Sequence, residues 1–168
     1  DNRIGQVFRD IQSQIIALLS AATFIFLIGL VDDLREIRAR RKLLAQITAA
    51  AVLCFAGIRI DSLNFANLFT IDLGWLAFPI TIFWIVAITN AVNLIDGLDG
   101  LAAGISAVTC AVIFIFALER GLLVMAVLML AMLGSLTGFL FFNFNPARIF
   151  MGDCGSMFLG FVLASASV

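Results

Sequence analysis

Apolar residues fill this chain in long blocks, and the charged residues gather at the ends of those blocks. Residues 11–31, 43–58, 73–95, 100–118, 121–147 and 154–168 carry no charge. A helix needs about 20 largely apolar residues to cross about 30 Å of hydrocarbon. Five of the six blocks are long enough or nearly so, and the last is short. Buried helices of a soluble protein would keep a polar outer face, whereas these blocks are apolar all round. In lipid a helix satisfies its own backbone hydrogen bonds. The pattern therefore predicts an all-α polytopic membrane protein, a single integral membrane domain over residues 1–168. About six transmembrane helices are expected, near 12–31, 43–59, 75–94, 101–118, 121–142 and 156–168, the last cut short, with short loops between them. The stretch Ile60–Leu73 contains the alternation Phe69-Thr70-Ile71-Asp72-Leu73, which predicts a small hairpin.

Counting crossings assigns the loops to sides. Residues 32–42, 96–99 and 148–153 share one side, and 59–72 and 119–120 share the other. Arg35, Arg38, Arg40, Arg41, Lys42 and Arg148 fall on the first side, which the positive-inside rule makes cytoplasmic. The hairpin is then extracytoplasmic.

Composition agrees and narrows the function classes. The 168 residues are 63% hydrophobic and 12% charged, against roughly 45–50% and 25% for soluble domains. A net charge of −1 gives no footprint for nucleic acid. The chain has no His, so neither a Ser-His-Asp triad nor a His-based zinc site lies within it. Cys54, Cys110 and Cys154 form no disulfide or zinc-ribbon pattern. The chain starts without Met and ends inside an apolar run, so it is expected to be part of a longer chain.

Five of the eleven acidic residues lie at cytoplasmic span ends: Asp32, Asp33, Asp96, Asp99 and Asp153. Acids at such depths pair, line a wet cavity or bind ions. Each motif has two readings. Asp32-Asp33 is either a solvated helix end neutralised by Arg35 and Arg38, or a site for Mg²⁺ or a phosphate–metal ligand. In Asn90-Ala91-Val92-Asn93-Leu94-Ile95-Asp96-Gly97-Leu98-Asp99-Gly100, the Asn residues are interhelical glue and the Asp residues turn formers, or Asn90, Asn93 and Asp96 line one functional helix side. Phe150-Met151-Gly152-Asp153-Cys154-Gly155-Ser156 is a turn with Asp153 paired to Arg148, or a ligand approach flanked by glycines. Ser156 is expected there as the N-cap of the final span. Lys42 either snorkels or contacts a phosphate. Span interiors hold no charge, which disfavours the alternative of an ion-coupled membrane transporter with midplane acids.

The three motifs, in this order, resemble the polyprenyl-phosphate N-acetylhexosamine-1-phosphate transferase family. The resemblance rests on Asp32-Asp33, Asn90-to-Leu101 and Phe150-to-Gly160, with Arg41-to-Gln46 also similar, and it covers the chain from about residue 24 onward. The family's early basic, His-containing loop and its later His-rich loop are missing from these residues. The resemblance implies a bacterial inner-membrane enzyme whose active site faces the cytoplasm. Such an enzyme moves N-acetylhexosamine 1-phosphate from a UDP-sugar to undecaprenyl phosphate, releases UMP and uses Mg²⁺, with Mn²⁺ as a substitute. The Asp-Gly block favours N-acetylglucosamine as the sugar; the alternative is a phospho-N-acetylmuramoyl-pentapeptide transferase. By the same resemblance Asp32, Asp33 and Asp153 are catalytic, with Asp32 as base, and Asp153 and Asp33 hold the metal. Lys42 and Asn90 bind the lipid phosphate, Asn93, Asp96 and Asp99 line the nucleotide side, and Phe150 stacks on uracil. A homodimer is the assembly the resemblance suggests.

Overall fold

The computed structural model describes the backbone over residues 2–65 and 69–168, and side chains over 12–64 and 70–168. The order is α1 (Asn2–Leu34), α2 (Ala39–Phe55), β1 (Ser62–Phe65), β2 (Phe69–Asp72), a 3-10 turn (Gly74–Leu76), α3 (Ala77–Ile95), α4 (Leu101–Glu119), α5 (Leu123–Asn143) and α6 (Gly152–Ala166). The chain is an all-α polytopic membrane protein. Four segments are long and apolar enough to cross a bilayer: Gln12–Leu34, Gly74–Ile95, Leu101–Glu119 and Leu123–Asn143. The other two are shorter. α2 has 17 residues and carries Arg40, Arg41 and Lys42 in its first turn, and α6 has 15.

The expected hairpin forms, with Ser62 opposite Asp72 and Asn64 opposite Thr70 in an antiparallel pair. Thr70 Oγ1 donates to Asn64 Oδ1 at 2.6 Å across it. The hairpin is tied to the helices below. Thr81 Oγ1 accepts from the Ile60 amide at 2.9 Å, and the Arg59 guanidinium lies over the Phe78 ring.

α6 is the centre of the bundle. It packs against α1 and α3, with α4 alongside, while α2 bridges α1 and α3 and α4 pairs with α5. From Ser156 to Ser165 every residue of α6 but Phe158 is buried. Without a hydrophobic drive between helices in lipid, such packing depends on close approach at small residues. Two glycines allow it. A Cβ on Gly29 of α1 would lie 2.5 Å from Cys154 Cα, and one on Gly160 of α6 would lie 2.8 Å from Thr89 Cα of α3. α4 likewise buries Ala102, Ala103, Ser106, Ala107 and Cys110.

The alternation of helices brings six termini to one end. There α1, α3 and α5 finish while α2, α4 and α6 begin. Hydrogen bonds between side chains and backbone link those termini at the end of the bundle opposite the hairpin.

Candidate active site

The sequence places adjacent carboxylates at the end of α1, and the fold sends them in different directions. Asp32 faces α2. Its Oδ2 accepts from Lys42 Nζ at 2.5 Å, and its Oδ1 accepts from the Ile37 amide, which closes the loop between the helices. Asp33 faces α6. Its Oδ1 accepts from the Asp153 amide at 2.8 Å and its Oδ2 from the Cys154 amide at 3.1 Å. α6 has no side-chain cap of its own at Met151, so a carboxylate from another helix satisfies its first free amides.

Lys42 joins the loops. Its ammonium also donates to Asp153 Oδ2 at 2.5 Å, so one cation holds acids from α1 and α6. The other oxygen of Asp153 accepts from Asn93 Nδ2 at 3.0 Å, and Asn93 also donates to Ser156 Oγ at 2.8 Å. Asp32, Asp33, Lys42, Asn93 and Asp153 therefore meet at one place, drawn from four helices. Asp153 pairs with Lys42 rather than Arg148. Among the described residues Arg35 and Arg38 form no ion pair with Asp32 or Asp33.

Ser156 requires a correction. It is not the N-cap of the last helix, because α6 starts four residues earlier, at Gly152. Inside the first turns its hydroxyl donates to the Gly152 carbonyl at 2.9 Å. The actual start of α6 is served instead by Asp33, which takes the Asp153 and Cys154 amides.

Asn90 stands one turn behind the acids on α3. It bonds to the buried Gln46 of α2, donating to Oε1 at 2.6 Å, and does not touch the carboxylates. Asp99 turns away from them: its Oδ2 accepts from Asn145 Nδ2 at 3.2 Å and from the Ala147 amide at 3.0 Å. Asp96, Asp99, Asn143 and Phe150 line a small cleft of about 60 Å³ beside the acids. The Phe150 side chain stands 76% exposed on its wall. Burial, with repulsion from Asp153 and Asp33, pushes the Asp96 carboxyl up to about 6.

A family model described as glycosyl transferase family 4 matches residues 15–168. The chain belongs to that family. It is similar to a probable undecaprenyl-phosphate N-acetylglucosaminyl 1-phosphate transferase of Bacillus subtilis (strain 168), at 42% identity over 158 residues, covering 94% of this chain and 44% of the relative. It is also similar to two phospho-N-acetylmuramoyl-pentapeptide-transferases. That of Desulforamulus reducens is 37% identical, over 84% of this chain and 47% of the relative. That of Staphylococcus carnosus is 34% identical, over 98% and 56%. The chain spans about half the length of these curated relatives.

Two residues of this glycosyl transferase family 4 chain gained roles that their motifs did not signal. Gln46 is 1% exposed and, among the described residues, its side chain bonds to Asn90; its place one turn after Lys42 on α2 was the available clue. Asn143, 4% exposed, accepts from the Gly100 amide at 3.1 Å and donates to the Ile149 carbonyl at 2.9 Å. It thereby fastens the turn before α4 to the segment carrying Phe150. Its clue was an amide, followed two residues later by Asn145, at the end of an apolar run.

The donor set suits a hard divalent cation. Among the described residues no three Cys, Asp or Glu side chains converge closely enough to chelate a metal alone. Mg²⁺ does not require that, since it commonly binds through one or two carboxylates with waters and substrate phosphates. The acids outnumber the single ammonium that pairs with them, and repulsion from Asp153 and Asp33 adds to burial, the larger cause, in pushing the Asp96 carboxyl up.

Proposed function

We propose that the full-length protein transfers N-acetylglucosamine 1-phosphate from UDP-N-acetylglucosamine to undecaprenyl phosphate, on the cytoplasmic face of a bacterial inner membrane. The observation that carries this reading is the meeting of Asp32, Lys42 and Asp153, from three helices, at one end of an apolar bundle. A lipid phosphate lies at that depth, and a nucleotide-sugar reaches it from water. In the reaction an oxygen of the lipid phosphate attacks the phosphorus that bears the sugar. The bond from that phosphorus to the bridging oxygen breaks, and UMP leaves with the electron pair. The attacking phosphate is already ionised, so the demands on the protein are placement and charge control.

Lys42 is the cation poised for the lipid phosphate, and Asp32 holds it in place; hydrogen bonding within the cluster favours the charged Asp32 carboxylate, which suits it to hold the ammonium rather than to act as the base the resemblance implied. Asn90 acts from behind by orienting Gln46 on α2. Asp153, kept in position by Asn93, would hold Mg²⁺ (or Mn²⁺), which when bound neutralises diphosphate charge. Asp96 and Phe150 border the cleft on the nucleotide side, with Asp99 shaping its rim. The Bacillus subtilis relative supports N-acetylglucosamine as the sugar, by its printed name and its 42% identity. A second reading, transfer of phospho-N-acetylmuramoyl-pentapeptide, is favoured by the names of the other two relatives.

Purified full-length protein tests both. UMP release with undecaprenyl phosphate is expected from UDP-N-acetylglucosamine and not from UDP-N-acetylmuramoyl-pentapeptide, and EDTA should stop it. The opposite sugar preference would select the second reading, and no UMP from either donor would overturn both. Asp153→Asn is expected to lower turnover at least about a hundredfold while the protein still inserts; wild-type turnover would remove Asp153 from the chemistry.

A further inference from the structure

Paired aspartates at a span end suggest two equivalent acids, but their partners differ in kind. Asp32 bonds the Lys42 ammonium and the Ile37 amide of the loop that follows it, whereas both oxygens of Asp33 bond backbone amides of α6. The carboxylate straddles the first turn of a 15-residue helix that begins without a cap of its own. A negative charge there also faces the positive end of the helix dipole. The seat is built for this contact. Gly152 has φ of +70°, and a Cβ on it would come within 2.8 Å of Asp33 Oδ2. One turn before Asp33, a Cβ on Gly29 would lie 2.5 Å from Cys154 Cα and 2.7 Å from the Asp153 carbonyl oxygen. The residue so clamped is Asp153.

We infer that Asp33 is a positioning residue: its carboxylate caps α6 from α1 and so sets where Asp153 stands, with Gly29 and Gly152 as parts of the same joint. The assignment rests on the transferase reading for its kinetic consequence and on the geometry alone for its structural one. A carboxylate oxygen has a second lone pair, so metal ligation by Asp33 is the rival that the test must separate.

The test uses the full-length protein with Gly29→Ala, Asp33→Asn, Asp33→Ala and Asp153→Asn variants. Gly29→Ala removes no polar group, yet it pushes the first turn of α6 away. Displacement by about 1 Å can cost about a hundredfold in rate, so its kcat is expected to fall on that order with KM for the UDP-sugar little changed. Asp33→Asn keeps one acceptor and is expected to retain more activity than Asp33→Ala, with the acid limb of the pH profile and the Mg²⁺ requirement unchanged. A readout independent of turnover is maleimide labelling of Cys154, mapped by peptide mass spectrometry with buried Cys54 and Cys110 as controls. Labelling should rise several-fold in Gly29→Ala, and in Asp33→Ala beyond the rise that loss of the Asp33 charge alone gives in Asp33→Asn, and should stay at the wild-type level in Asp153→Asn.

Labelling in Asp33→Ala no higher than in Asp33→Asn would overturn the inference. So would loss of the acid limb or a raised Mg²⁺ requirement in Asp33→Asn, since those are marks of a base or a ligand. If Gly29→Ala does not insert, labelling and kinetics of the two Asp33 variants decide. If the wild-type protein releases no UMP, the transferase reading fails, and Cys154 labelling still decides the cap.

Discussion

Lys42 satisfies two carboxylates with one ammonium, and both contacts are only partly shielded from water, with 10% of the Asp32 side chain and 31% of the Asp153 side chain exposed. Removing the cation leaves Asp32 and Asp153 facing each other uncompensated. Lys42→Met is therefore expected to lower the melting temperature in detergent above pH 6 and to lose most of that penalty in acid, where the carboxylates protonate. Asp96 behaves differently, having no ion-pair partner among the described residues. Its carboxyl titrates near 6 in the folded protein against an ordinary 3.8. Between those values the folded state holds the proton that the unfolded state has lost, so stability falls as pH rises through that window. Asp96→Asn should raise the melting temperature at pH 7.5, and the gain should vanish below about pH 4. An equal gain at both pH values would contradict the shift. Ser106 offers a third case: its hydroxyl, buried in α4, has no hydrogen-bond partner among the described residues. An unpaired buried hydroxyl costs about 1–3 kcal/mol, so Ser106→Ala should leave the protein as stable as before or more so, as read by thermal melting.

At the scale of elements, α6 is the part on which the others depend. It is shorter than a full span, and it gains its place by contact with α1 and α3 rather than with lipid. Gly160 sets the approach to α3, because a Cβ there would meet Thr89 Cα at 2.8 Å and the Thr89 carbonyl oxygen at 3.0 Å, both backbone atoms unable to swing aside. Overpacking of this kind costs typically about 1–3 kcal/mol. Gly160→Ala is expected to destabilise the protein on that order, whereas Gly104→Ala, with nothing within 4 Å of its added Cβ, should be neutral or mildly stabilising. Equal melting temperatures for the two variants would contradict the packing described.

For the whole molecule, alternating helices separate the acid cluster and the hairpin to opposite ends. The basic residues Arg35 to Lys42 and Arg148 lie with the acids, and under the proposed function that end faces the cytoplasm, the side the positive-inside rule expects for such a cluster. Impermeant maleimide applied to sealed right-side-out vesicles should label Asp61→Cys at the hairpin base and leave Leu98→Cys unlabelled until the vesicles are opened. Both parent residues are exposed, so access is set by side alone. The reverse pattern would place the site outside and remove nucleotide-sugar chemistry from consideration.

The elements themselves were legible from hydropathy, because a span must hide its backbone within itself and the run of apolar residues is local information. Except for α1, which begins at Asn2, well before its block at residue 11, the helices start and stop within a few residues of the charge-free blocks, and the hairpin follows from alternation around Thr70. The acids were legible as a group, since each stands against an apolar block. Their partners were not. Whether Asp153 meets Arg148 or Lys42, and whether Asp33 faces solvent or the amides of α6, depends on which helices touch. Those contacts depend on glycines such as Gly29 and Gly160, whose missing side chains leave no mark in a hydropathy pattern. Local composition set which segments enter the bilayer; close packing between distant segments decided which carboxylate each amide and ammonium would find.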